Sequence, residues 1–152
     1  MAGDSNSDLT VLFITNNREE YTRLRGMIAE SHLHLETHWK SPSRGSLRAA
    51  LTLIETGRIP IVLCEHTAGD TAWRDLLERT AGLPDSPYLI VTSRTADEQL
   101  WSEALNLGAY DVLATPFNPE ELGRVLSSAL ARWKDRADRS RAKPAATLSA
   151  GR

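Results

Sequence analysis

The stretch Ile59–Trp73 reads "IPIVLCEHTAGDTAW" and contains the transition on which the fold turns. Its first half is a short unbroken apolar run, the form taken by a strand buried on both faces, and the run stops at a carboxylate, Glu65. A polar linker then leads to Trp73, Leu76 and Leu77, whose spacing predicts one face of a helix. A buried strand, a charged end and a helix make one β–α unit.

The same unit recurs along the chain. Apolar runs at "TVLFI", "LHLETHW", "IPIVLC", "PYLIVT" and "YDVLA" alternate with segments of helical period. Tyr21, Leu24 and Ile28 mark the first helix; Leu47, Ala50, Leu51 and Ile54 mark the second, with Gly57 as its stop. The fourth is expected to start at Thr95, three residues before Glu98, and to end at Gly108, with Leu100, Ala104 and Leu107 facing inward. The fifth opens on "NPEE", with Asn118 as cap and Pro119 in the first turn, and carries Leu122, Val125, Leu126, Ala129 and Trp133 on one face. Right-handed crossovers put the helices on both sides of the sheet, so the expected fold is a single doubly wound α/β domain. Residues 1–8 are expected to be a disordered N-terminus and 9–133 the domain. Residues 134–152, basic, rich in Ala and Ser and interrupted by Pro144, are expected to be a frayed helix end and a disordered basic tail.

Composition narrows the function. At 152 residues and 41% hydrophobic content there is enough apolar surface for one core, and a formal net charge of −2 supplies no field to gather nucleic acid or an anionic membrane. The lone Cys64 cannot form an internal disulfide, and the polar "MAGDSNSD" start has no apolar signal core, so a cytoplasmic location is expected. Glycine-rich phosphate loops, a P-loop and a nucleophile elbow are all missing from the sequence, and no enzyme activity and no cofactor are expected.

Ligands of an open α/β sheet collect beyond the carboxyl ends of its strands. Those ends are Thr15, Asn16 and Asn17, then Glu65 and His66, then Thr92 and Ser93, then Thr115 and Pro116. Here "PYLIVTSR", "PIVLCEH" and above all "ALNLGAYDVLATPFNPEEL" resemble the receiver domain of bacterial response regulators, the CheY-like family. The resemblance covers roughly residues 8–133 and implies a five-stranded parallel sheet of order 2-1-3-4-5 with helices on both faces, of the flavodoxin-like kind. It places Glu65 at the phosphoacceptor position, Thr15, Asn16 and Asn17 at the acid pocket, Thr92 at the switch threonine, and Thr115, followed by Pro116, at the lysine.

The departures from the family pattern decide the expected chemistry. Phosphoryl transfer needs a nucleophilic carboxylate, further acids for Mg²⁺ and a cation for the phosphoryl oxygens, and "TNN" and Thr115 supply none of the last two. The switch aromatic falls on Val112. Glu65 can be an ordinary polar strand end, an acyl-phosphate acceptor, or a fixed negative charge standing loosely for a phosphorylated aspartate.

Two further groups of residues are weighed. His32, His34, Glu36 and His38 share one face of an extended segment, a spacing open to zinc or nickel, but the second strand is an edge strand in the resembled topology and no metal site is expected. His66 beside Glu65 points to the opposite face of its strand. Trp73 and Trp133 fit apolar helix faces, whereas Trp101 falls to the side of the fourth helix. With Tyr110 and Arg124 it marks a candidate interface near the fourth helix, fifth strand and fifth helix, the face that the family uses for partners and dimers. The expected function is a pseudo-receiver: a phosphorylation-independent module that binds a signalling protein or a second copy of itself, with neither nucleic acid nor membrane as partner. The alternatives are a receiver that still takes phosphate from a histidine kinase, and a small-molecule or metal sensor using the emptied pocket.

Overall fold

The computed structural model describes residues 9–66 and 72–150. Five strands, β1 Thr10–Ile14, β2 Glu36–Lys40, β3 Ile61–Glu65, β4 Tyr88–Ser93 and β5 Asp111–Ala114, alternate with five helices, α1 Arg18–Ala29, α2 Arg44–Ile54, α3 Ala72–Thr80, α4 Glu98–Asn106 and α5 Pro119–Ala150. All strand pairs are parallel and the sheet order is β2-β1-β3-β4-β5, as expected.

Alternation along the strands divides the core into two. Val11 and Phe13 of β1, Ile61 and Leu63 of β3, Ile90 and Leu113 pack against α1 and α5 through Leu24, Ile28, Leu122 and Leu126. Leu12, Ile14, Val62, Cys64 and Val91 point the other way, against α2, α3 and α4 through Ala50, Ile54, Trp73, Leu76 and Leu100. Each large aliphatic side chain buried this way contributes about 1.5–3 kcal/mol, so both faces of the three central strands are fixed by their neighbours. Cys64 is fully buried among them, and its thiol is pushed up to about 12, first by burial and then by the adjacent Glu65 charge, which leaves it a packing residue with no thiolate chemistry at neutral pH.

The helix ends follow local chemistry. Asn17, Ser43 and Asn118 cap α1, α2 and α5 by accepting hydrogen bonds from Glu20 N, Ser46 N and Glu121 N. Gly57, at φ +77°, turns the chain out of α2, and Gly108, at φ +108°, turns it out of α4, a region costly for residues with a Cβ.

Four expectations need correction. The cap of α4 is Asp97, which accepts from Leu100 N at 2.9 Å, while Thr95 stays in the preceding turn with its amide bonded to Ser93 Oγ. A carboxylate nearer the helix start satisfies the same free amides and also meets the positive end of the helix dipole. β2 begins at Glu36 and not at Leu33, because its ladder with β1 begins at the Thr10–Glu36 pair. Leu107 is 52% exposed, since it is the C-cap of α4 and projects beyond the sheet.

The fourth correction concerns the segment after Trp133. The helix does not end there: α5 runs to Ala150, and Pro144 lies within its bounds. Trp133 and Ala137 are buried one turn apart, Trp133 Nε1 donates to Asp85 O, and Arg136 lies 4.8 Å over the Tyr88 ring and donates to Ser86 O. These contacts carry the helix past the apolar face on which its length was judged. The expected disorder of residues 1–8 falls outside the described residues.

A chain ending at residue 133 should therefore be less stable than one ending at residue 140. The lost burial of Ala137 and the lost Arg136 contacts predict about 1–3 kcal/mol, measurable by urea denaturation of the two chains. Equal midpoints would show that α5 stops contributing at Trp133.

Candidate functional site at the carboxyl ends of the strands

The ends of β1, β3 and β4 meet because their register is staggered by the parallel ladder. Ile14 lies opposite Cys64, so the next residue, Thr15, falls beside Glu65, and Glu65 lies opposite Thr92. All three belong to the alternation that faces α1 and α5. The Thr15 hydroxyl donates to Glu65 Oε1 at 2.5 Å, and the Asn16 amide donates to the same oxygen at 3.2 Å. Thr15 is in turn fixed from both sides: its hydroxyl accepts from Asn17 N at 2.9 Å, and its carbonyl accepts from Trp39 Nε1 at 2.8 Å. The carboxylate of Glu65 is thus held by two donors of the β1–α1 turn, one of them positioned by the edge strand.

The other strand-end residues arrange themselves around this bond. Thr92 is fully buried and its hydroxyl has no hydrogen-bond partner among the described residues. His66 uses its amide on Thr92 O at 2.7 Å. Thr115 donates its amide to Ser93 O at 3.0 Å, and the bond from Thr115 to Pro116 is cis. Beside them opens a cleft of about 770 Å3 bounded by Asn17, Glu19, Glu20, Arg23, Arg94 and Thr115, with Pro116 at its rim.

Sequence reasoning brought the strand ends together correctly but passed over three contributors. Trp39, stacked on Tyr21 at 6.3 Å and with Arg18 5.6 Å over its ring, ties the edge strand to α1 and to Thr15. Its position at the end of an alternating polar–apolar segment is the only hint the sequence carries. Arg94 and Glu20 reach the cleft from a loop and from the first turn of α1, and their side chains carry no local signature of that.

Asn17 has a different role from the one its alignment suggests. Its side-chain oxygen caps α1 through Glu20 N at 3.1 Å, which accounts for an Asn at this position without reference to a lost acid.

A receiver-type pocket implies Mg²⁺, and the residues present do not fit it. Mg²⁺ takes six oxygen ligands in octahedral geometry, with one or two free carboxylates anchoring it and waters filling the remainder. Here the strand ends offer Glu65 alone, already engaged by Thr15 and Asn16, while Asn17 is committed to its cap. Among the described residues no group of three His, Cys, Asp or Glu side chains converges on one point. The histidines do not assemble either: His32 and His34 are exposed and precede β2, and only His38 lies in the strand. Its imidazole is held below the ordinary range, mainly by desolvation and secondarily by Lys40.

The candidate interface residues lie elsewhere. Arg74 of α3 pairs with Glu103, which fixes that flank of α4 toward α3. Trp101, two positions away and so on the opposite flank, is 49% exposed, and Arg124 on α5 is exposed. Tyr110 is half-buried and committed: its hydroxyl is 2.6 Å from Ser128 Oγ and its ring lies 5.0 Å from Tyr88. Val112 is buried in the sheet face toward α4.

Comparison with known structures follows this geometry. A response regulator from Thermotoga maritima superposes with a TM-score of 0.67 at 17% identity, over 81% of this chain and 98% of its own. The response regulatory domain of MrkE from Klebsiella pneumoniae gives 0.66 at 12% identity, over 84% and 99%. A protein from Burkholderia pseudomallei described as pilus assembly-related gives 0.63 at 18% identity, over 83% and 92%. This chain has the response-regulator receiver fold. No protein-family model matches the sequence, and no curated protein matches it. The receiver fold is therefore present with a strand-end pocket in which Glu65 is bonded to Thr15 and Asn16, while the Thr92 hydroxyl has no partner among the described residues.

Two measurements test this account. Asn17→Ala should lower stability by about 1 kcal/mol while Asn17→Asp leaves it unchanged or slightly raised, because Asp caps as well and favours the helix dipole; thermal denaturation distinguishes this from a vacated acid site, where Asp would destabilise. Isothermal titration should show no sub-millimolar Mg²⁺ binding, and binding that Glu65→Gln abolishes would overturn the reading of the pocket.

Proposed function

We propose that this chain is a receiver-like module of bacterial signal transduction that acts by binding a signalling protein or a second copy of itself, independently of phosphorylation and without enzyme activity. The observation that carries this reading is the Glu65 carboxylate, bonded to the Thr15 hydroxyl and the Asn16 amide where a receiver keeps a nucleophile among Mg²⁺-binding acids. An acyl phosphate formed there would carry about two negative charges where Thr115 stands in place of the lysine, and the arginines bordering the cleft, Arg23 and Arg94, come from α1 and from the loop after β4. Glu65 serves instead as a fixed charge that locks the β1–α1 turn to β3.

The absence of a switch supports the same reading. Val112 is buried and aliphatic where receivers carry the aromatic that changes rotamer, and Thr115 cannot extend as lysine does. With no coupling between pocket and surface, the domain rests in one conformation and its affinity is independent of phosphodonor. The contact surface assigned to it is the flank of α4, β5 and α5, where Trp101 offers a large exposed aromatic and Arg124 a neighbouring charge on the next helix. Tyr110 contributes there by bracing β5 against α5 through Ser128. No described helix is long and apolar enough to cross a membrane, which is compatible with the cytoplasmic setting this function requires.

Incubation with acetyl phosphate and Mg²⁺ should give no phosphoryl adduct on Glu65 by mass spectrometry. Trp101→Ala should weaken self-association or partner binding by about 1–3 kcal/mol, while Glu65→Gln changes it by well under about 1 kcal/mol. Analytical ultracentrifugation of both variants reads the difference; a loss confined to Glu65→Gln would show that the pocket still controls the surface.

A further inference from the structure

A second cleft lies on the sheet face covered by α2, α3 and α4, between α2 and α3. A cleft of about 390 Å3 opens there, with Leu47 and Leu51 of α2 and Leu76 of α3 as its apolar floor and Arg44, Arg48 and Arg79 around it. All three arginines are exposed, and none makes an ion pair among the described residues. Among the described residues Asp75 is the single acid lining the cleft, so the described lining carries a net charge of +2 (three arginines against one aspartate) on a chain whose overall charge is −2.

The placement of these charges is unfavourable in isolation. Arg44 is the first residue of α2 and Arg48 stands one turn later, so two cations share a row at the helix end whose dipole is already positive, and no acid occupies that first turn. Ser43 caps the backbone amides through Ser46 N but brings no charge. Other helix starts here follow the opposite rule: α1 and α5 both carry glutamates in their first turns. A negatively charged ligand laid across the arginines would relieve the repulsion and complete the end of the helix.

We propose that the α2–α3 cleft binds an acidic segment of a partner protein, with an apolar side chain of that segment seated on Leu47, Leu51 and Leu76 and its carboxylates on Arg44, Arg48 and Arg79. The apolar floor favours a peptide over nucleic acid. A polynucleotide needs a continuous basic track and aromatic platforms for its bases, and the described lining of the cleft holds three arginines and no aromatic residue. An acidic peptide with a leucine-like side chain satisfies both surfaces together: guanidinium groups bind carboxylates in pairs, and the half-buried Leu47 and Leu51 lose their remaining water. The site is independent of the α4–β5–α5 flank and of the strand-end pocket, so it stands or falls separately from the function proposed above.

The test uses the whole chain and a fluorescein-labelled synthetic peptide of glutamates and aspartates around two leucines. Fluorescence anisotropy should show saturable, salt-sensitive binding, weakened roughly tenfold or more by Arg48→Glu and by Arg79→Glu and left unchanged by Arg25→Glu, an exposed arginine on α1. A peptide with both leucines replaced by serine should bind more weakly to the wild-type chain. Thermal melts of each variant, with Arg48→Ala as a milder second change, separate lost binding from lost folding. No saturable binding, equal loss in Arg25→Glu, indifference to the leucines, or tighter binding of a single-stranded oligonucleotide through the same arginines would each overturn the proposal.

Discussion

Strands β1 and β3 lie side by side with both faces covered, and the places where they end determine what the rest of the molecule can do. Burial fixes their register, because a slip of one residue would turn Phe13, Ile61 and Leu63 out of one core and Leu12, Val62 and Cys64 out of the other. With register fixed, Thr15 must fall beside Glu65, and the short hydroxyl–carboxylate bond between them closes the gap between the β1–α1 turn and β3. A buried threonine next to a carboxylate would otherwise leave two polar groups unsatisfied in a nearly dry place.

That bond organises its surroundings in sequence. Thr15 receives Asn17 N and Trp39 Nε1, Asn17 caps α1, and Trp39 stacks on Tyr21 of the same helix. Edge strand, first helix and central strand are therefore joined through one turn. Glu65, Thr15 and Asn17 are committed to these bonds, whereas Trp101, Arg124 and the α2–α3 arginines stand exposed on the outer surfaces.

The two outer surfaces differ in kind. On the α4 flank an aromatic side chain stands in water beside a helix whose other flank is tied to α3 by the Arg74–Glu103 pair. Between α2 and α3 the exposed groups are like charges over aliphatic side chains, gathered where a helix start already carries positive charge. One suits an apolar partner or a second copy, the other an acidic segment, and nothing about either requires the strand-end pocket to change state.

The strands, their parallel arrangement, the helix faces and the caps at Asn118 and Gly57 were legible in the sequence, because each is written locally as a run, a period or a single residue with a conformational preference. The same locality explains the misses. Asp97 displaced Thr95 as a cap by two residues, because Thr95 is drawn into the preceding turn by Ser93 Oγ; α5 extended past Trp133 because Tyr88 and Ser86, some fifty positions earlier in the chain, give Arg136 something to hold. The sequence by itself determined that Glu65 would stand at a strand end without a set of acids around it. Only the tertiary structure decided that Thr15 and Asn16 would bond its carboxylate, that Asn17 would serve a helix instead of a pocket, and that three arginines from two helices would share one cleft, since side-chain hydrogen bonds and charge clusters depend on distances set by packing between segments that the sequence lists far apart.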